Sequence, residues 1–287
     1  MTAAALPAPR RILVVTDLGA AGSEAVRAGA RRAAATGAAL AVVHVMPSVG
    51  PTALAAHEAA VTTQVRAALT RQVTQFARHA RAAEFVRTGG VAEQALALAQ
   101  GWEADLVVTG APEDGAVDTL RIVRHAAAPV LIARATDGAG PVIACTDFSD
   151  PALPAVQTAA DEARRAGARL HVLHAFEPIP AAIVGIEGRG IVPTAEWTRA
   201  RRADAEARLA RALADTGVDG DYAALEGAVA TTLLATARTR GAQLLVLGTV
   251  GCTGVTRFLL GSVAETLVRD ATCPTLIVRL ALRDGGT

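Results

Sequence analysis

Three glycines and a serine stand at fixed spacing between an apolar strand and an amphipathic helix. Two residues separate Gly248 from Gly251, and nine more precede the pair Gly261 and Ser262. Glycine permits positive φ and lets bare backbone N–H groups approach a ligand closely. A helix that begins at this pair also turns its unpaired N–H groups and the positive end of its dipole outward, which favours an anion. The segment therefore predicts a phosphate-binding loop, and a glycine-rich connector without a ligand is the alternative.

The two most familiar phosphate-binding fingerprints do not fit this segment. The sequence contains no lysine, so the Gly-Lys-Ser/Thr ending of a Walker loop is excluded. The glycines also lack the G-x-G-x-x-G spacing of dinucleotide-binding proteins. A different class of nucleotide site is therefore indicated.

The glycine spacing resembles that of the ATP-binding branch of the universal stress protein family. The flanking residues RFLLGSVAE at 257–265 and CPTLIV at 273–278 are similar to that family as well. The resemblance implies an adenine nucleotide, ATP, as ligand, with Mg²⁺ or Mn²⁺ held through its phosphates and no metal ligands from the protein. The nucleotide-binding residues that it implies are Thr146, Asp147, Ala175, Gly248, Gly251, Gly261, Ser262 and Val263.

Two residues inside the glycine loop bear on phosphate affinity. Arg257 is positioned to reach a phosphate from within the loop. Cys252 departs from the family, because relatives often carry a basic residue directly after the second glycine. This departure affects the expected affinity for phosphate and leaves the expected fold unchanged.

Composition excludes several classes of protein. The chain has 287 residues, 52% of them hydrophobic, which is enough for two ordinary domains. Its net charge of +1 gives no electrostatic footprint for nucleic acid. No stretch approaches the roughly 20 apolar residues of a membrane span, and the first residues do not resemble a signal peptide. Three cysteines do not form a disulfide framework, so a cytoplasmic protein is expected.

An internal repeat organises the chain. Asp17 recurs as Asp147 and His44 recurs as His174, in both cases 130 positions later and in similar apolar surroundings. A period of this length indicates domain duplication and not a solenoid. The second copy carries extra residues between its second and third strands, because the fourth strand recurs only after 138 positions.

The two copies predict two domains, 1–137 and 138–287, with the boundary in the short linker 135–140. β-branched runs alternate with alanine- and arginine-rich stretches in each copy, which is typical of parallel strands joined by helices. The predicted fold class is α/β, with two tandem doubly wound, parallel, five-stranded sheets and helices on both faces. The resemblance implies the strand order 3-2-1-4-5, which places the ends of strands 1, 2 and 4 side by side.

The last strand of each copy is apolar and lies at a sheet edge in this topology. Such an edge is an open template for pairing. We expect the two last strands to pair within one chain as an intramolecular pseudo-dimer, and a homodimer of chains is a further expectation.

Asp147 and the repeated histidines each have two interpretations. The Asp147 carboxylate could accept hydrogen bonds from an exocyclic amine or a ribose hydroxyl, or it could cap the helix that follows. His44 and His174 lie in apolar runs, where a core histidine with one hydrogen bond is more common than a catalytic one. No histidine spacing indicates a metal site.

The first copy differs where the glycine loop should be. It lacks seven residues there, together with the second glycine and the Gly-Ser pair, and it carries Glu113 and Asp114 instead. Carboxylates at this place repel a triphosphate. The sequence therefore predicts a stress-response or sensor protein that binds ATP through its second domain and is not an enzyme. The alternatives are a slow ATPase or phosphotransferase, and a structural pseudo-dimer without ligand.

Overall fold

The computed structural model of the chain describes residues 7–48, 55–78, 80–111, 117–149, 152–178, 183–184, 190–191, 195–249 and 260–279. Strands and helices alternate in both repeats, as predicted. The elements of the first repeat are β1 Arg11–Thr16, α1 Ala20–Thr36, β2 Ala39–Met46, α2 Ala55–Phe76, β3 Ala82–Thr88, α3 Val91–Gly101, β4 Leu106–Gly110, α4 Val117–His125 and β5 Val130–Ala133. Those of the second are β6 Val142–Cys145, α5 Leu153–Ala166, β7 Leu170–Phe176, β8 Ile183–Val184, β9 Gly190–Ile191, α6 Ala195–Ala214, β10 Gly220–Glu226, α7 Val229–Thr239, β11 Leu244–Gly248, α8 Ser262–Asp270 and β12 Thr275–Val278.

The ten long strands form one continuous sheet in the order β10-β7-β6-β11-β12-β5-β4-β1-β2-β3. Within each repeat the strands are parallel and follow the predicted order 3-2-1-4-5. The two five-stranded sheets are joined because β5 and β12 pair with each other, antiparallel, as expected for two apolar edges. A small antiparallel pair, β8 with β9, lies apart from this sheet and was not predicted.

Local sequence explains why the repeats keep the same elements. Strands β6 and β12 are buried along their whole length and β11 as far as Leu247, as expected for parallel strands covered on both faces. Helices α1 and α5 both end at a glycine in the left-handed conformation, Gly37 at φ 72° and Gly167 at φ 61°. These two glycines are 130 positions apart, so the sequence repeat extends to the helix ends.

Helices cover the sheet in two layers. Helices α1, α2, α5 and α6 pack on one face, against alternate strand residues such as Val14 and Val246. The other four packed helices, α3, α4, α7 and α8, cover the opposite face, against Leu13 and Leu245. Each layer continues across both repeats, so the repeats share their core on both sides of the sheet.

Arg134 and Arg279 both contact the opposite repeat at the junction, which we define as the β5–β12 pair with these two arginines directly after the strands. Arg134 donates to the carbonyl oxygens of Val268 and Arg269 at the end of α8. Arg279 in turn donates to the carbonyl oxygen of Val123 near the end of α4. Cations are favoured at the carboxyl ends of helices, where carbonyl groups lack intrahelical partners. Burial lowers the pKa of both guanidinium groups. The hydrogen bonds to the carbonyl oxygens supply partners for these buried groups.

Candidate functional site

A cleft of about 640 Å³ opens beyond the carboxyl ends of β6, β7 and β11 and beside the start of α8. In open α/β sheets this is the place where ligands bind. Seven of the eight predicted nucleotide-binding residues line it, and the eighth, Gly251, lies outside the described residues. The seven are Thr146, Asp147, Ala175, Gly248, Gly261, Ser262 and Val263. The structure thus brings the predicted residues together, and their contact with a nucleotide stays a prediction.

The start of α8 is built without a capping side chain. Gly261 is the N-cap in an extended conformation, and among the described residues no side-chain cap hydrogen bond is made at this helix start. The Gly261 N–H donates to the carbonyl oxygen of Thr249 at 3.0 Å, which holds the helix start against the end of β11. Among the described residues, a Cβ added to Gly261 would meet only this same oxygen, at 3.8 Å. The described part of the chain therefore leaves room for a side chain here, at a helix N-terminus beside the cleft.

The two repeated aspartates hold different turns. In the first repeat, Oδ1 of Asp17 accepts from the N–H of Gly19 at 2.8 Å and from that of Gly22 at 2.9 Å, inside the first turn of α1. In the second, Oδ1 of Asp147 accepts from the N–H and the hydroxyl of Ser149, at 3.0 and 2.5 Å. The N-cap of α5 is Ala152. Capping is therefore the right interpretation for Asp17, whereas Asp147 fixes the turn after β6 and faces the cleft.

His174 ties the end of β7 to the end of β6. Its Nδ1 lies 2.9 Å from the carbonyl oxygen of Thr146, so this nitrogen carries the proton and donates it. His44 makes the same 2.9 Å contact with Thr16 in the first repeat. The histidine therefore has the structural role that its apolar surroundings suggested, and His174 also lines the cleft.

Burial lowers the pKa of His174, and the charges of Arg208 and Arg201 lower it further. Burial likewise lowers the pKa of His171, whose Nδ1 lies 2.9 Å from Arg240. At a pH just below the ordinary histidine value of about 6.5, the unfolded chain binds more protons than the folded chain. The contribution of the two neutral histidines to the free energy of unfolding should therefore be fully present above this pH and be lost as the pH falls below it.

We expect His174→Asn to weaken this pH dependence, because asparagine keeps an N–H donor near Thr146 and does not titrate. The measurement is urea unfolding of both proteins at a series of pH values from neutral to mildly acidic. The loss of stability on acidification should be smaller in the variant, with the remainder from His171. An equal loss in both proteins would contradict the assignment to His174.

A row of rings and guanidinium groups begins in the wall of the cleft, with His174, Phe176 and Arg201, and continues behind it to Phe148 and Arg208. The His174 ring lies 4.4 Å from that of Phe148 and 6.0 Å from that of Phe176, measured between centroids. Arg208 lies 4.0 Å above Phe148, and Arg201 lies 4.9 Å above Phe176. Sequence reasoning assigned no role to Phe148, Phe176, Arg201 and Arg208. The signal that could have found them is the repeat, since the first repeat has Leu18 and Met46 at the positions of the two phenylalanines.

The charges in the cleft are few. Two carboxylates, Asp147 and Glu177, and one guanidinium, Arg201, line its described part. Cys145 also lines it, but burial raises the pKa of this thiol to about 12, so it stays protonated and is not a nucleophile at neutral pH. Within the described ranges, no group of three or more His, Cys, Asp or Glu side chains could hold a metal ion. The arrangement is suited to an elongated ligand with an anionic group at α8 and an uncharged part toward β7.

Comparison with known proteins gives the family. The sequence model of the universal stress protein family matches residues 9–134 and again 139–279. A universal stress protein of Thermus aquaticus is 38% identical over 139 residues, which cover 48% of this chain and 97% of that protein.

A solved structure shows the same fold over nearly the whole chain. A universal stress protein of Archaeoglobus fulgidus superimposes with a TM-score of 0.67 at 15% identity, covering 94% of this chain and 98% of that chain. Another universal stress protein, solved in complex with cAMP, is 28% identical over 49% of this chain and 98% of its own, with a TM-score of 0.36. No described helix combines the length and the apolar character that a bilayer crossing requires. The chain belongs to the universal stress protein family and consists of two such domains in tandem.

Proposed function

We propose that the second repeat binds an adenine nucleotide, ATP with Mg²⁺ or Mn²⁺, and that the chain is a cytoplasmic nucleotide-binding sensor or stress-response protein. The observation that carries this proposal is the cleft itself. It gathers residues from three separate strand ends around a helix N-terminus that no side chain of the described residues caps. A helix N-terminus of this kind favours phosphate.

The ligand is oriented by the order of the strands. The phosphates lie at Gly261, Ser262 and Val263, and the ribose and base lie toward Asp147 and Ala175. Strands β7 and β11 flank β6, so their ends are about 10 Å apart at a strand spacing of about 4.8 Å. This distance separates the two ends of the ligand. The metal ion is held by the phosphates, in keeping with the few carboxylates of the cleft.

The corresponding corner of the first repeat is filled by a side chain. The hydroxyl of Thr16, at the end of β1, donates to Oε1 of Gln72 from α2 at 2.7 Å. The amide nitrogen of Gln72 donates in turn to the hydroxyl of Ser23 at 3.0 Å, and Gln72 is buried. These contacts support a single nucleotide site per chain. Glu113 and Asp114, which were predicted to repel phosphate, lie outside the described residues.

Binding without catalysis remains the proposal, and slow ATP hydrolysis is the competing one. The Nδ1 proton of His174 is committed to Thr146, and Cys145 is protonated. Product analysis after long incubation with ATP and Mg²⁺ separates the two proposals. A structural pseudo-dimer without ligand, the third possibility, is separated from both by the titration that follows.

Isothermal titration of the full chain with ATP and Mg²⁺ should give one site per chain. Asp147→Asn should weaken ATP binding about tenfold or more, because a hydrogen bond to a charged group contributes about 1.5–3 kcal/mol. Asp17→Asn is the matched control, since Asp17 holds the corresponding position in the first repeat. It should lower the stability of the chain through the cap of α1 and leave ATP affinity unchanged.

Two sites per chain, or an equal loss of affinity in both variants, would contradict the assignment to the second repeat. Absence of any heat signal and of competition by ATP for a fluorescent nucleotide would support the structural pseudo-dimer. Inclusion of cAMP as a competitor distinguishes a preference for the triphosphate from a general affinity for adenine nucleotides.

A further inference from the structure

The contacts across the junction obey a twofold relation between the repeats. Arg134 and Arg279 occupy corresponding positions, 145 residues apart, directly after the last strands. Arg279 donates to the carbonyl oxygen of Val123, and Arg134 donates to that of Val268, which again stands 145 positions later. Each repeat thus offers the same backbone and arginine contacts to the other. This is the geometry of an isologous interface, in which identical subunits could equally well pair.

Arg32 in α1 and Glu162 in α5 correspond in position and differ in charge. Each stands five residues before the left-handed glycine that ends its helix, Gly37 or Gly167. Nη1 of Arg32 lies 2.8 Å from the Glu162 carboxylate, and the two side chains are only 20% and 12% exposed. Two corresponding positions contact each other only where a twofold axis passes between them. The pair therefore lies on the axis that relates the repeats.

The Glu162 carboxyl on this axis is ionised at neutral pH. Burial by itself raises the pKa of the Glu162 carboxyl, but the guanidinium of Arg32, followed by that of Arg165, outweighs burial and holds the pKa below its ordinary value. Arg165 contacts the same carboxylate at 2.6 Å from the next turn of α5. The carboxylate on the axis is thus ionised and faces a cation from the other repeat.

A residue on the axis meets its own counterpart whenever two identical repeats pair. Two first repeats would bring Arg32 against Arg32, with Arg31 of each helix alongside. Two second repeats would bring Glu162 against Glu162, with part of the repulsion relieved by Arg165. Largely buried charges are screened little by salt and water, so like charges here oppose association. Pairing of a first with a second repeat is the arrangement that places opposite charges on the axis.

We propose that Arg32 and Glu162 select the partner at the junction, favouring the two unlike repeats of one chain over like repeats of different chains. The strand pairing and the two arginine contacts across the junction are available to both arrangements, because they follow the twofold relation. The contact on the axis is attractive when unlike repeats pair and repulsive when like repeats pair. The pair therefore disfavours association through two first repeats or through two second repeats. This inference is independent of the proposed nucleotide site.

The test uses four full-length proteins: the wild type, Arg32→Glu, Glu162→Arg and the charge-exchanged double variant. Sedimentation velocity over a wide concentration range reports the number of chains per particle. Hydrogen exchange of the β5 and β12 amides reports opening of the junction. In either single variant every pairing, within one chain or between chains, has like charges on the axis, so exchange at β5 and β12 should accelerate about tenfold or more without a gain for pairing between chains. The double variant restores opposite charges and should match the wild type in both measurements.

Arg32→Gln and Glu162→Gln serve as neutral controls and should fall between the wild type and the charge-reversed variants. Single variants with wild-type exchange at β5 and β12 would overturn the proposal. A double variant that opens as readily as the single variants would overturn it as well. If a single variant does not fold, the double variant still decides, since wild-type behaviour supports selection by charge and an open junction refutes it.

Discussion

Replacement of Gly261 by aspartate should weaken ATP binding strongly while the protein stays folded. The substitution places a carboxylate at the N-cap of α8, where aspartate accepts hydrogen bonds from the first turn and stabilises a helix. The same carboxylate occupies the N–H groups that a phosphate would use, and it repels the phosphate charge. We expect ATP affinity to fall about 100-fold, or about 2.8 kcal/mol, in isothermal titration. Thermal stability should equal or exceed that of the wild type.

Two further variants separate the effect of the added charge from that of a side chain that accepts hydrogen bonds from the first turn of α8. Gly261→Asn also caps the helix but is neutral, so it should lose less affinity than the aspartate variant. Gly261→Ala adds only a methyl group, for which the described residues leave room, and should bind ATP nearly as well as the wild type. Unchanged affinity in a folded Gly261→Asp variant would falsify the assignment of the phosphates to α8.

Arg134→Met should destabilise the chain more than any substitution of an exposed arginine. Arg134 donates to backbone carbonyl oxygens of Val268 and Cys273 and to the hydroxyl of Thr275, all in the other repeat. Methionine retains the apolar stem and leaves these acceptors without their charged donor. Hydrogen bonds to charged groups contribute about 1.5–3 kcal/mol each, so we expect the free energy of unfolding to fall by about 3 kcal/mol.

Urea unfolding measures this loss, and Arg121→Met is the matched control, because Arg121 is exposed on α4. The control should stay within about 0.5 kcal/mol of the wild type. A similar small change for Arg134→Met would show that burial of its guanidinium costs as much as its contacts contribute. The role of this arginine in joining the repeats would then be disproved.

The fold could be predicted from the sequence because the repeat and the hydrophobic pattern agree. Each central strand is a short apolar run, and such runs are distinct from helices when glycine and polar residues bound them. Strand order required the family resemblance, since composition and periodicity do not order parallel strands. Pairing of β5 with β12 followed from their apolar edges. The pair β8 and β9 could not be predicted, because two-residue strands leave no periodic pattern.

The site was predicted only in part, and the reason is physical. Glycines and the aspartate that follow strand ends leave a local sequence signal, so they could be placed at one corner of the sheet. Arg201 joins the cleft through the packing of α6 beside β7, where it donates to the carbonyl oxygen of Glu177, and no spacing in the sequence reveals this contact. The closing of the first repeat's corner by Gln72 depends on a contact with Thr16 that spans 56 positions. Such contacts become visible only in three dimensions.

The antiparallel pairing of β5 with β12 also determines where the sheet can grow. These two strands are buried along their whole length and are the most apolar edges of the repeats. Their pairing leaves β3 and β10 as the outer strands of the ten-stranded sheet. Both are partly exposed and carry charged residues, Glu84 and Arg87 in one and Asp221 and Glu226 in the other. Charged, exposed edges resist the addition of further strands, so the tandem chain is a terminated unit that cannot polymerise through its sheet.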